Sequence, residues 1–248
     1  CYPLNILTQK EIVKQIEEVF CLVDNKEKND QEKEKLKRIL KEKILDSAIR
    51  GNLTNNNFNL DSVDVEEIDG EIPFEIPSNW KWSCFGNMAE KITDGTHSTP
   101  KYTSCGIPFL SVKDMSNGKL SFNSCKYISE EEHKVLYKRC DPKNGDLLIT
   151  KVGTTGVPVI VDVDFEFSLF VSVALLRFNQ EKFYNKYLKY VVESNFIQNI
   201  IDINTKGIAN KNWVIKKIEE TPIPVPPLEE QKRIVEKIES LFELIEQL

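Results

Sequence analysis

The sequence predicts an α+β fold, with a mixed, mainly β domain flanked by long helices suited to coiled-coil pairing. Three observations carry that prediction. Charged segments with apolar side chains at spacings of three and four stand at both ends of the chain, one closing at Gly51 and one opening at Pro226-Pro227. Between them, short β-branched and aromatic runs are punctuated by glycine turns, with no steady strand–helix alternation. The two end segments also share a sequence: Gln9–Asp24 aligns with Gln231–Glu246 at a constant offset of 222, and eight of the sixteen positions are identical. A repeat of this length sets the architecture, so it takes precedence over local signals.

The first arm, residues 1–53, begins its helical pattern at Thr8, which can cap. Ile12, Ile16 and Val19 define one face, and Leu36, Ile39 and Leu40 resume it. Residues 24–35 are densely charged but contain neither glycine nor proline, which favours one continuous helix over Thr8–Arg50 that would span roughly 65 Å. A two-helix hairpin is the alternative. Gly51-Asn52 supplies the stop. Residues 54–79, with the Asn55-Asn56-Asn57 run, an acidic stretch, Pro73 and Pro77, predict an extended linker. The domain over 80–225 opens at Trp80 and Trp82. Strands are predicted within Phe109–Val112, Leu147–Val152, Val157–Val163 and Leu169–Phe178, and helices over Ser129–Tyr137 and Asn185–Ile201. In the last segment, 226–248, a proline pair stops what precedes it, Glu229 and Glu230 suit a helix N-terminus, and Ile234, Ile238, Leu241 and Ile245 form the seam.

Bulk properties narrow the function. The 248 residues are 40% hydrophobic and 29% charged, as in ordinary soluble proteins, and no apolar run approaches a membrane span. The six cysteines form no C-x-x-C pair and have two histidines for company, which predicts reduced thiols in the cytoplasm and no metal site. The net charge of −6 is unevenly spread: residues 80–225 carry 19 Lys/Arg against 16 Asp/Glu, so only the middle of the chain is basic. No nucleotide-binding glycine loop is present, and His97 beside Ser98 and Thr99 on one loop is a poor nucleophile–base pair. The residues therefore predict a binding protein, with no catalytic residues and no cofactor.

Several stretches resemble the specificity (S) subunits of Type I restriction-modification systems. They are Pro222–Val235 (PIPVPPLEEQKRIV), Ile44–Leu53 (ILDSAIRGNL), Ile76–Trp80 (IPSNW), Ile92–His97 (ITDGTH), Gly106–Leu110, Gly145–Leu148 and Lys206–Ile208. The resemblance implies a non-catalytic, DNA-reading subunit in which two spacer helices pair antiparallel and hold two recognition domains apart. It implies as partners double-stranded DNA, methyltransferase (M) subunits and, through them, restriction (R) subunits. With one recognition domain here, it implies either the C-terminal half of a full subunit or a half-sized protein forming a homodimer through its spacers.

The candidate DNA loops are Thr93–Tyr102 (Thr96, His97, Ser98, Thr99, Lys101), Ser111–Lys119 (Lys113), Lys151–Thr155 (Lys151, Thr154, Thr155) and Thr205–Lys211 (Lys206, Asn210, Lys211). Lysines are expected on phosphates and the hydroxyl, amide and imidazole groups on base edges. A non-enzymatic adaptor that contacts only proteins is the alternative.

Overall fold

The computed structural model describes Lys14 and residues 30–54, 63–205 and 211–248. Most of the expected Thr8–Arg50 helix before Asp30, with Ile12, Ile16 and Val19, lies outside the described residues, as do residues 55–62 of the expected linker. The elements run α1 (Asp30–Ile49), β1 (Lys81–Cys84), α2 (Phe85–Met88), β2 (Ala89–Asp94), β3 (Ile107–Leu110), β4 (Lys126–Ile128), α3 (Glu130–Tyr137) and β5 (Leu147–Thr150). They continue with β6 (Pro158–Ile160), β7 (Ser168–Leu169), β8 (Val173–Phe178), α4 (Asn185–Glu193), α5 (Asn195–Thr205), α6 (Ile215–Glu219), β9 (Pro222–Val225) and α7 (Leu228–Glu246). Two compact units result, one of residues 1–63, 70–81 and 224–248 and the other of residues 64–69 and 82–223.

In the helical unit, α1 ends as its glycine demands. Gly51 takes φ +72°, its N–H donates to Ala48 O (3.1 Å), and Asn52 N–H reaches Ser47 O (2.9 Å). This Schellman pair satisfies carbonyls the helix would leave bare. Any Cβ on Gly51 would collide with the Pro77 ring. The first turn of α7 follows Pro227. Gln231 Nε2 donates to Pro226 O (2.9 Å), and the buried Glu230 carboxylate accepts from Thr54 Oγ1. Ile234, Ile238, Leu241 and Ile245 are all buried.

The two helices pack antiparallel within one chain. Glu246, at the end of α7, pairs with Lys41 (2.5 Å) and Lys37 (3.7 Å) of α1, whereas Glu230, at its start, meets Thr54 beyond the end of α1. Of the expected α1 seam, Leu40 is buried and Leu36 and Ile39 are half-buried.

The second unit is built on a four-stranded sheet of order β2–β8–β5–β6, antiparallel throughout, and a three-stranded sheet of order β4–β3–β7. Leu147, Leu148 and Ile149 of β5 face Leu176, Leu175 and Ala174 of β8, and all six are fully buried. Such double burial explains why both strands read as continuous apolar runs rather than alternating ones. Leu110, Leu148, Phe167, Leu169, Val173 and Leu175 share one core.

The expected mixture of strands and helices is present, with more helix than the sequence suggested. Five helices, α2–α6, share this domain with the strands among the described residues, so it is mixed α/β. Two of them, Phe85–Met88 and Ile215–Glu219, are too short to show a helical period. The segment expected as one helix over Asn185–Ile201 is two. Ser194 adopts φ −66°, ψ 149°, and its hydroxyl donates to Val191 O (2.6 Å), breaking the ladder. The expected strands after Leu110, Thr150 and Ile160 end earlier than their apolar runs, because β3 gives way to a 3₁₀ turn at Val112–Asp114 and the others to loops.

Residues 63–80 form neither helix nor strand. Within the second unit, Ile68 N–H donates to Trp82 O (3.0 Å) and Ser83 Oγ to Glu66 O (2.6 Å), so that short acidic segment is fastened by backbone groups.

A half-buried ionic network on β2 and β8 gives the fold an acid-sensitive point. Burial would raise the Asp141 carboxyl, but hydrogen bonds from Lys91 Nζ (2.6 Å) and Arg177 Nη1 (3.2 Å), with their charges, bring it down to about 2. Arg177 is held protonated above its ordinary value, chiefly by its hydrogen bonds to Asp146. A lowered carboxyl pKa stabilises the folded state above the unfolded value of about 3.9, and this contribution drains away as pH falls towards 2. Asp141→Asn is therefore expected to lower the melting temperature at pH 6, by ~1–2 kcal/mol of stability, and to flatten the loss of stability between pH 4 and 2. Separately, Ile238→Ala in the helix seam is expected to cost about 2–4 kcal/mol in urea titration, as a buried side chain without room to collapse.

Candidate nucleic-acid interface

The strands of the second unit deliver the expected loops to one end of the sheets. β2 ends at Asp94, β3 at Leu110, β5 at Thr150 and β7 at Leu169, and β8 starts next to them at Val173. Because β2 and β5 both run antiparallel to β8, their C-terminal ends meet at its start: Asp94 faces Ala174 and Thr150 faces Val173.

Short-range bonds then bind the loops to one another. Ser172 is the relay, its hydroxyl accepting from Val112 N–H (3.1 Å) and its carbonyl from Lys151 N–H (2.8 Å). Lys151 Nζ pairs with Asp94 Oδ2 (3.2 Å). Val152 bridges Asn212, and Gly153 N–H donates to Lys211 O (3.1 Å), tying the third loop to the fourth.

The first loop is held rigidly. Gly95 lies so close to β7 that a Cβ would run into the Leu169 carbonyl. Thr96 N–H donates to Leu169 O (2.9 Å), and Val171 N–H donates back to Thr96 O (2.9 Å). Thr96 Oγ1 lies 3.1 Å from Ser98 Oγ and accepts from Ser98 N–H (3.3 Å). Lys101 N–H is fixed by the Glu132 carboxylate of α3 (3.1 Å). His97, Ser98, Thr99 and Lys101 are exposed.

In the second loop, Ser111 N–H donates to Asp114 Oδ2 (2.8 Å) across the 3₁₀ turn, which leaves Lys113 exposed on it. Thr154 is exposed, and Thr155 Oγ1 donates to Gly153 O (3.2 Å). Lys211 is exposed and pairs with Asp202 (2.7 Å). Lys206 and Asn210 lie outside the described residues.

Lys151 departs from the expected free cation. Its side chain is 5% exposed and engaged by Asp94, itself 4% exposed, so it braces the loops from beneath instead of offering its charge to solvent. A lysine that follows a fully buried strand is drawn inward by a buried carboxylate that must be neutralised. Two features escaped the sequence reading. Arg139, just past α3, donates through Nη2 to Asp94 Oδ1 and lies 3.3 Å from His97 Nε2. Tyr102 is exposed, with Lys126 Nζ 5.3 Å from its ring centroid. The Lys138-Arg139 pair directly after an amphipathic helix was the available signal for the first. For the second it was an aromatic beside Lys101.

Gly95, Thr96, His97, Ser98, Leu136, Arg139, Cys140 and Leu169 line a cleft of about 420 Å³. Burial pushes the Cys140 thiol up to about 12, so it stays neutral at the cleft floor. Among the described residues no group of three or more His, Cys, Asp or Glu side chains is placed to hold a metal ion, and no helix is long and apolar enough to cross a membrane.

Comparison with known proteins adds the family. Residues 77–248 match the family model of the Type I restriction modification DNA specificity domain. The Type I restriction enzyme EcoBI specificity subunit of Escherichia coli is 26% identical over 238 residues, covering 94% of this chain and 49% of the relative. Among solved structures, the HsdS subunit from Thermoanaerobacter tengcongensis shares the fold with a TM-score of 0.55 at 18% identity, over 96% of this chain and 52% of that one. A chain from a structure of type I R-M system assembly gives a TM-score of 0.59 at 17% identity, over 99% of this chain and 54% of that one. The chain thus spans about half the length of these proteins.

The buried pair makes its own prediction. Lys151→Met leaves Asp94 inside the protein with one cation fewer and is expected to cost about 3 kcal/mol in denaturant titration. Asp94→Asn combined with Lys151→Met is expected to cost less than the sum of the two single changes, which a double-mutant cycle reads directly.

Proposed function

The chain belongs to the family of Type I restriction modification DNA specificity domains, and from that premise we propose that it reads one half of a split double-stranded DNA target without catalysing any reaction itself. The supporting observation is the convergence of the first three candidate loops at a single end of the sheets, tied together by Asp94–Lys151 and Ser172, with Lys211 of the fourth bonded to Gly153. Sequence readers need donors displayed on loops over a stiff scaffold, and these loops are stiffened by bonds beneath them.

In this reading Thr96, His97, Ser98, Thr99, Thr154, Thr155 and Asn210 face base edges. Lys101, Lys113, Lys206 and Lys211 lie against phosphates. Lys151 acts through Asp94 as a positioning residue. The helices act as a spacer, with the α1–α7 seam as its core. They dock methyltransferase (M) subunits, which in turn bring restriction (R) subunits, and a second half-site comes from a second domain, in a homodimer or in a longer chain. The setting is the cytoplasm.

Selection from a random-sequence duplex pool, with the methyltransferase subunit present, is the test. A short motif should be enriched, and its affinity should fall with salt at a log–log slope of about −3 to −5, matching the few cations on the loops. A pool that stays random through selection, at any salt, would refute the DNA-reading function.

A further inference from the structure

The cleft beside the first loop carries a charge arrangement that the base-reading loops do not require. Its hub is Asp94, a carboxylate nearly sealed from water at the end of β2. Three groups converge on it from three different places: Lys151 after β5 (3.2 Å), His97 from the loop after β2 (3.2 Å) and Arg139 from beyond α3. Asp94, Lys151 and Arg139 together carry one negative and two positive charges, an excess of one positive charge.

The excess is not spread evenly. Lys151 is buried with Asp94, whereas Arg139 is 57% exposed and His97 62% exposed. The uncompensated charge therefore sits at the mouth of the cleft. Arg139 spends Nη2 on Asp94 and His97, and among the described residues no hydrogen bond occupies its Nε or Nη1. A guanidinium anchored through one nitrogen keeps the rest of its fork oriented and loses little freedom on binding a planar or tetrahedral oxyanion. Thr96 and Ser98 stand on the same wall; the Thr96 hydroxyl donates to the Ser98 carbonyl (3.2 Å), which leaves the Ser98 hydroxyl, 3.1 Å away, able to donate into the cleft. The wall itself cannot yield, because Gly95 and Thr96 are clamped to β7. The neutral Cys140 thiol adds no opposing charge to the floor.

We propose that Arg139, next to the base-reading His97, forms a phosphate subsite that grips one backbone phosphodiester of the DNA and sets the register of the neighbouring base-reading loops, Asp94 and Lys151 being its positioning pair. This rests on the DNA-reading function proposed above and adds to it a residue outside the expected loops. Commitment to a backbone phosphate follows from the net positive charge beside an exposed guanidinium, which suits the anionic backbone; guanine, which a guanidinium fork also reads, is the competing ligand, and a loss confined to the selected duplex would reveal it.

The test is a salt series of fluorescence-anisotropy titrations with labelled duplexes, using the whole chain together with the methyltransferase subunit. Both the selected duplex and an unselected one of equal length are titrated. Arg139→Ala should weaken binding roughly tenfold at low salt and make the log–log salt slope shallower by about one. The loss should be equal for the two duplexes, because a phosphate contact carries no sequence information. Arg139→Lys should keep the slope and recover only part of the affinity, since the charge remains but the fork does not. Arg139→Ala removes one of the two cations on the buried Asp94, so its melting temperature should fall modestly, and the titrations are run at a temperature where circular dichroism shows both variants folded. An unchanged slope for Arg139→Ala, or a loss confined to the selected duplex, would overturn the phosphate subsite while leaving DNA reading intact. Absence of salt-dependent binding by the parent chain would remove the DNA-reading function, and the subsite with it.

Discussion

The ion pair between Asp94 and Lys151 is the constraint on which the loop end of the second unit depends. Both side chains are about 95% removed from solvent, 3.2 Å apart, in surroundings where an isolated charge costs several kcal/mol. Neither residue can leave without exposing the other to that cost, so β2 and β5, separated by β8 in the sheet, are locked at their ends. A pair of this kind contributes little net stability, but it strongly disfavours any other loop arrangement. Ser172 reinforces it by holding the loops on either side with its hydroxyl and its carbonyl. Gly95 does the same from the opposite direction, since no side chain fits between that residue and the Leu169 carbonyl.

In the helical unit the governing constraint is different. Here α1 and α7 are joined mainly by apolar side chains, with polar groups at each end fixing the register. The proline pair before α7 leaves its first carbonyls and N–H groups to be satisfied by side chains. Gln231 meets part of that need from within the first turn by bonding Pro226 O, while the Glu230 carboxylate beside it receives the Thr54 hydroxyl. The glutamate–glutamine pair thus has a structural reason to follow the prolines. Its polar residues are buried at 2% and 0% exposure, and each has its partner.

Much of this was legible in the sequence where one period dominates. The α7 seam, the Gly51-Asn52 stop, the helix over Ser129–Tyr137 and the buried runs of β5 and β8 all follow from local rules, because each residue's role is decided by neighbours within a turn or across one ladder. The miscast features are those decided by distant partners. Lys151 sits beside a glycine-rich turn, where lysines are usually solvated; Asp94, 57 positions earlier, draws it inward. Arg139 lies outside every candidate loop and reaches the site only because α3 ends against the loop after β2. Ser194 divides a run whose apolar spacing is helical on both sides, so periodicity alone joins α4 and α5. The positions of the loops were readable from glycines, but their mutual ties were not, since they depend on strand order.

Charge distribution then limits how such a domain can hold DNA. The chain carries a net −6, and the 19 basic residues of the middle domain barely exceed its 16 acidic ones. Many of those basic residues are committed internally: Lys91 and Arg177 to Asp141, Lys151 to Asp94, Lys189 to Glu193 and Lys217 to Glu220. Counterion release scales with the number of phosphates neutralised, so a surface left with few free cations gains little sequence-independent affinity. Under the proposed function this is an advantage. Weak attraction to arbitrary duplex leaves discrimination to the geometry of a few rigid donors, and rigidity is what the buried pair beneath the loops provides. A domain with a broad basic face would hold any DNA tightly and tolerate loose loops. Under the proposed function, one with this charge balance would hold DNA only where its loops fit, which would make the precision of the Asp94–Lys151 brace a requirement of recognition as well as of folding.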